Sequence, residues 1–120
     1  MTSLRPSKEQ ITSIIELFSS GLLQETLDTV EPLIKKYPNE SLFFNIRGAC
    51  YGGLGDYHSA VKNYEKALAI KPDYFKVHFN LGGVFQDLGK LDSAIQSYER
   101  AIVIEPSFAE AHNNLGNVFK

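Results

Sequence analysis

The sequence predicts an all-α protein built as a tandem array of helix pairs. Two observations carry that expectation. The stretch HFNLGGVF at residues 78–85 returns as HNNLGNVF at residues 112–119, 34 residues later, with six of eight positions identical. The chain also matches itself over a whole unit at that same offset. A fixed period of this size is the signature of a repeat array, in which each unit buries its apolar face against its neighbours. No stretch alternates apolar and polar residues long enough to make a strand.

Residues 41–74 set against 75–108 give ten identities. They are Gly48/Gly82, Leu54/Leu88, Gly55/Gly89, Ser59/Ser93, Ala60/Ala94, Tyr64/Tyr98, Glu65/Glu99, Ala67/Ala101, Ile70/Ile104 and Pro72/Pro106. Chemistry persists at Tyr51/Phe85, Val61/Ile95, Lys66/Arg100, Leu68/Ile102 and Tyr74/Phe108. The units are therefore 7–40, 41–74 and 75–108, preceded by a tail at 1–6. Residues 109–120 hold the first helix of a fourth unit, truncated there or serving as a cap.

Each element has a local reason. Ser7 and Gln10 stand at capping-box spacing before Ile11, which opens the first helix. The first unit keeps Gly21 and Pro38 in phase but diverges elsewhere, as end units often do. In the third unit His78, Leu81, Gly82 and Phe85 follow i, i+3, i+4, i+7 spacing, one face of a helix. Gly89 ends that helix. From Leu91 to Ile104, a second stripe carries Ala94, Ile95, Tyr98, Ala101 and Ile102. Pro106 stops it, because proline has no N–H and clashes with the preceding turn. Asn39, Asp73 and Ser107 follow the three prolines and read as helix N-caps. Gly48 and Gly82 are expected to face Ala60 and Ala94, so that paired helices approach closely. Tyr51, Tyr64, Phe85 and Tyr98 fill the space beside them. Gly52 and Gly53 read as a loosely wound helix end, with close approach of a bound backbone as the alternative.

The composition excludes several function classes. Charged residues are 22% and the net charge is −2, so there is no basic footprint for nucleic acid or an anionic membrane. No run of apolar residues is long enough to span a bilayer, and the polar N-terminus lacks a signal-peptide core. Cys50 is the only cysteine, which precludes an intrachain disulfide and fits a reducing, cytoplasmic setting. His78 and His112 share one repeat position and read as packing residues rather than a metal pair. His58 opens a helix and reads as solvated. No HExxH, CxxC or P-loop is present, and the glycines of GGLG at 52–55 follow no strand. The expectation is a non-catalytic chain with no cofactor and no metal.

The pattern resembles the tetratricopeptide repeat (TPR) family. That resemblance rests on the 34-residue unit with glycine at position 8, an aromatic at 11, alanine at 20, an aromatic at 24, alanine at 27 and proline at 32. Units two and three match throughout. Unit one has Ile14, Leu17, Thr26, Val30 and Leu33 at the first five of those positions. The resemblance implies a right-handed α-solenoid of about three units plus one further helix. It also implies a concave groove that takes an extended peptide segment of a protein partner.

By that resemblance, groove residues are Ile11, Ile15 and Phe18 in unit one, and Leu42, Asn45 and Ala49 in unit two. Unit three gives Lys76, Phe79, Asn80, Gly83 and Gln86, and the last helix gives Asn113, Asn114 and Asn117. Lys8, Thr12, Ile46, Gly52, Glu110 and Lys120 occupy equivalent positions. The carboxylate clamp of chaperone-binding members is not met. From unit one its positions hold Ile11, Ile15, Ile46, Lys76 and Asn80, and from unit two Glu110 places an anion where a cation is needed. Asn80 and Asn114 instead resemble two rungs of an asparagine ladder. An amide suits that task because it offers both a donor and an acceptor to a peptide group of any sequence. Two other expectations stand beside the scaffold. One is a substrate-positioning region of a larger glycosyl- or sulfotransferase, as in bacterial proteins with similar repeats. The other is a homo-oligomer assembled through the open C-terminal end near Leu115, Val118 and Phe119.

Overall fold

The structure is a computed structural model and describes residues 5–120. Most of the tail expected at 1–6 lies outside the described residues. Among these residues there are seven α-helices and no strand: α1 (Lys8–Ser19), α2 (Leu23–Lys36), α3 (Ser41–Gly53), α4 (Tyr57–Ile70), α5 (Phe75–Asp87), α6 (Leu91–Ile104) and α7 (Ala109–Val118). The all-α fold expected from the sequence is the one observed. The helices α3, α5 and α7 start 34 residues apart, as do α2, α4 and α6. The chain divides into two compact units between Ile70 and Lys71.

In the first unit, the capping box forms as expected. The Gln10 amide N–H donates to Ser7 Oγ (3.0 Å), and Gln10 Oε1 accepts from the Ser7 backbone N–H (2.8 Å). The same Oε1 accepts from the Tyr37 hydroxyl (3.1 Å), which ties the first turn of α1 to the residue after α2. Ile14, Val30, Phe43 and Cys50 are fully buried between these helices. Burial pushes the Cys50 thiol up to about 11, so this thiol is a small core hydrophobe rather than a nucleophile. Gly48 explains how closely α3 and α4 approach. A Cβ there would lie 2.8 Å from the Tyr64 ring and 3.2 Å from the Ala60 carbonyl oxygen.

Arg47, on α3, anchors a polar group among apolar neighbours. Its Nε donates to Asn63 Oδ1 (2.7 Å), and Nη1 pairs with Glu31 Oε2 (3.0 Å). Asn63, only 5% exposed, completes its valences by donating to the Ser59 carbonyl (2.8 Å). A buried amide is stable only with such partners.

In the second unit, α5 and α6 pack through Val77, Leu81, Val84, Ala94, Tyr98 and Ala101, all buried. Gly82 does not face Ala94 most closely; its missing side chain makes room for the Tyr98 ring, whose Cε1 would lie 2.5 Å from a Cβ. Phe108, at the N-terminus of α7, packs its ring on Phe79 (4.9 Å) and edge-on to Phe75 (5.3 Å).

The N-cap expectation is corrected. Asn39, Asp73 and Ser107 are not N-caps; Glu40, Tyr74 and Phe108 hold those positions, without side-chain cap bonds. The prolines set up tight turns instead, closed by bonds from Glu40 N–H to the Tyr37 carbonyl, Tyr74 to Lys71 and Phe108 to Glu105. Pro38, Pro72 and Pro106 take the second turn position, which suits their fixed φ, and the following polar residue takes the third. Gly52 and Gly53 are the last two residues of α3, the helix end expected there, and the Leu54 N–H is shared between the Cys50 and Tyr51 carbonyls. A Cβ on Gly53 would also meet Leu23 Cδ1 at 2.7 Å, so this glycine makes room for a leucine of α2.

Candidate functional site

Helix turns place the expected surface residues. Gly21, Gly55 and Gly89 adopt φ of +79°, +83° and +75°, which only glycine enters readily. At Gly89 the turn is closed by Gly89 N–H to the Gln86 carbonyl and Lys90 N–H to the Phe85 carbonyl. The Asp56 carboxylate accepts from Ser59 N–H (3.2 Å) and Ser59 Oγ (2.8 Å), and so caps α4. Those bonds hold Asp56 below the usual carboxylate range.

The two position-4 histidines secure turns. His78 Nε2 donates to the Pro72 carbonyl (2.9 Å), and His112 Nε2 to the Pro106 carbonyl (2.8 Å). Each ring fastens the proline turn to the helix that follows it. Their recurrence 34 residues apart follows from that shared structural role.

In the first unit, the expected groove residues vary in exposure. Ile15 is 42% exposed, Ile11, Phe18, Leu42, Asn45 and Ala49 are half-buried, and Ile46 is buried at 4%. Ile46 therefore belongs to the core, although its repeat position is shared with Asn80 and Asn114. A shallow depression of about 360 Å³ on α1 is lined by Lys8, Glu9, Thr12 and Ser13. Two of these, Lys8 and Thr12, occupy expected groove positions.

In the second unit, four expected residues gather around Tyr98, and two of them bond its hydroxyl. The hydroxyl donates to Gln86 Oε1 from α5, and the Asn114 side chain of α7 bonds the same group. The Phe79 ring lies 5.8 Å from the Tyr98 ring. Gly83 lies alongside, where an added Cβ would come no nearer than 3.8 Å to the hydroxyl oxygen. Burial pushes the Tyr98 hydroxyl above its ordinary range, so it stays protonated and keeps its proton on Gln86 Oε1. Asn80 is half-buried; Lys76, Asn113 and Asn117 are exposed. The sequence identified Tyr98 only as a space-filling aromatic. Its phase on the second-helix stripe was visible, whereas the reach of Gln86 and Asn114 to its hydroxyl was not.

Comparison with known proteins decides the family. A sequence profile described as TPR repeat matches residues 53–89 and 84–120, more than half of the chain. The chain belongs to the TPR repeat family.

This TPR chain is 37% identical over 49 residues to the small glutamine-rich tetratricopeptide repeat-containing protein 2 of Saccharomyces cerevisiae. It is 32% identical over 57 residues to the peroxisomal targeting signal receptor of Kluyveromyces lactis. These matches cover 41% and 48% of the chain, but only 14% and 10% of the two relatives. Among solved structures, the first TPR of Spaghetti (RPAP3) bound to the HSP90 peptide SRMEEVD is similar, with a TM-score of 0.87 and 23% identity. That likeness covers 98% of this chain and 95% of the other. The first TPR domain of human RPAP3 has a TM-score of 0.86 at 25% identity, covering 91% and 86%. PcrH in complex with the chaperone-binding region of PopD has a TM-score of 0.85 at 19% identity, covering 93% and 90%. No helix among the described residues is long and apolar enough to cross a membrane.

Proposed function

We propose that this TPR chain is a non-catalytic interaction scaffold that binds an extended segment of a protein partner, with α5 and α7, the first helices of the second unit, as the contact face. The observation that carries the reading is the cluster around Tyr98. Phe79, Gly83, Gln86 and Asn114, chosen as one surface from repeat position, come together there from α5 and α7. The cluster offers a peptide an aromatic face, amide groups and, at Gly83, helix backbone uncovered by a side chain. Structurally similar proteins solved with bound peptides, the HSP90 peptide SRMEEVD and the chaperone-binding region of PopD, support a peptide as the ligand class.

The ligand is not an acidic chaperone tail on this reading. Of the clamp positions only Lys76 carries the cation a carboxylate needs, and Ile11, Ile15 and Ile46 cannot pair with one. The exposed face of α7, with Asn113 and Asn117, favours a neutral backbone-directed grip.

A peptide-display library selected on the wild-type chain tests this. Selected peptides should bind the Asn117→Arg variant at least tenfold more weakly, and the Glu99→Lys variant unchanged. Glu99 is an exposed residue of α6 and lies outside the proposed surface. Equal binding by Asn117→Arg and wild type would remove the first-helix face as the site.

A further inference from the structure

A second surface lies on the first unit, among residues not expected in the groove. Helix α2, the end of α3 and the turn before α4 enclose a depression of about 690 Å³. Its apolar walls are Leu27, Pro32, Tyr51 and Leu54. A second depression of about 360 Å³ shares Gln24 and Leu54 with it and adds Leu22 and Leu23. Leu54 is 52% exposed and Leu22 44% exposed, so two leucines stand open to solvent on adjoining hollows. An isolated exposed leucine needs no explanation, but a contiguous apolar hollow marks a contact surface.

The charged residues that line these hollows have one sign. Asp28, Glu31 and Asp56 line the larger depression and Glu25 the smaller, and no Lys, Arg or His lines either. Glu31 is partly answered by Arg47 (3.0 Å), and Asp28 accepts only a neutral bond from Gln24 (3.1 Å). Asp56 keeps its charge through the Ser59 bonds while His58 and Lys62 act on it from nearby. Pro32 adds a backbone acceptor. Standing inside α2, it has no N–H to give the Asp28 carbonyl four residues earlier.

Two residues of this surface are particular to the first repeat, 7–40. Leu22 falls in phase with Asp56 and Lys90, and Asp28 with Lys62 and Gln96. The first repeat thus has leucine where the other two are charged, and an acid where the repeat at 41–74 has a lysine.

We propose that this acidic, leucine-lined surface docks a basic amphipathic segment of a partner protein. Aliphatic side chains of that segment cover Leu22 and Leu54, and its lysines or arginines meet Asp28, Asp56 and the Asp28 carbonyl. Charge complementarity selects this occupant: a neutral apolar segment would desolvate Asp28 and Asp56 without bringing them an opposite charge, and an acidic one would be repelled.

The test is a fluorescence-anisotropy titration of a short labelled peptide with leucines at helical spacing and lysines on the flanking positions. The wild-type chain should bind it, added salt should weaken the binding, and the same peptide with glutamates for lysines should not bind. Asp28→Lys and Leu54→Ser, both at exposed positions, should each weaken binding by about tenfold or more, a change of about 1.4 kcal/mol. Glu99→Lys and Asn117→Arg should bind as wild type does, with helicity checked for every variant by circular dichroism. No binding by wild type, or equal binding by Asp28→Lys and Leu54→Ser, overturns the proposal. Loss in Asn117→Arg instead would put the peptide on the first-helix face and overturn it too. So would self-association of the wild-type chain that Leu54→Ser abolishes, because the occupant would then be a second copy.

Discussion

Adjacent glycines in α5 should respond to alanine with opposite signs. Gly82 and Gly83 share one helix, so alanine gains about 1 kcal/mol of helix propensity at either. Their surroundings differ. At Gly82 the new Cβ would lie 2.5 Å from Tyr98 Cε1, 2.6 Å from Cδ1 and 2.8 Å from Cζ. The Tyr98 ring is 0% exposed, its hydroxyl is bonded to Gln86, and Phe79 flanks it, so it cannot swing aside. Overpacking of this kind costs about 1–3 kcal/mol, and three contacts below 3 Å on a ring that cannot move place it at about 2–3 kcal/mol. Gly82→Ala should therefore lower stability by about 1–2 kcal/mol net. At Gly83 the Cβ meets only the Tyr98 hydroxyl oxygen at 3.8 Å, an ordinary contact. Gly83→Ala should raise stability by about 0.5–1 kcal/mol. Urea unfolding followed at 222 nm compares the two variants with wild type, and a difference of about 2 kcal/mol between them is the expected reading. A Gly82→Ala protein as stable as wild type would refute the packing argument. A destabilised Gly83→Ala protein would show that Gly83 serves the fold rather than a ligand.

Two further outcomes follow from the first unit. Arg47→Met should cost about 1–3 kcal/mol, because it leaves Asn63 Oδ1 buried without its donor. Combining it with Asn63→Leu should recover part of that loss, and a double-mutant cycle by chemical denaturation reads the coupling; strict additivity would mean the bond contributes nothing. Asp56 gives a pH dependence. Its native carboxyl is held below its unfolded value by Ser59, so its contribution is present above the ordinary carboxylate range and is lost as pH falls through the lowered native value. The stability gap between wild type and Asp56→Asn should shrink on acidification, and a gap constant from pH 6 to pH 2 would contradict the capping role.

The helices were legible because a repeat states each boundary more than once. Glycine at 21, 55 and 89, and proline at 38, 72 and 106, fixed where second helices begin and end. What failed was assignment within three residues of those prolines. Asn39, Asp73 and Ser107 suit both an N-cap and the third position of a turn, and local sequence cannot separate them. The turn wins because proline already sets the residue before them. Ser107 even spends its hydroxyl on Glu105 (2.8 Å) instead of a helix amide. The packing role of Gly53 was opaque for a different reason. Its cause is Leu23, a residue of another helix, and only the packing of α2 against α3 reveals it.

The candidate surface shows the same boundary between what position implies and what packing adds. Repeat position alone treats Ile46, Asn80 and Asn114 as equivalent. In the structure Ile46 is core, and Asn114 is drawn inward to Tyr98. An Asn114→Ala change would therefore loosen the Tyr98 hydroxyl as well as remove an amide, and a loss of binding could not be assigned to either cause. Asn117 is exposed on the same helix, so its substitution changes the surface alone. Tyr98 couples the two kinds of residue. Its ring fixes the distance between α5 and α6 through Gly82, while its hydroxyl fixes the side-chain amides of Gln86 on α5 and Asn114 on α7. Fold and proposed binding surface are thus joined at one side chain, and the positions free of that joint are the ones at which the proposal can be tested.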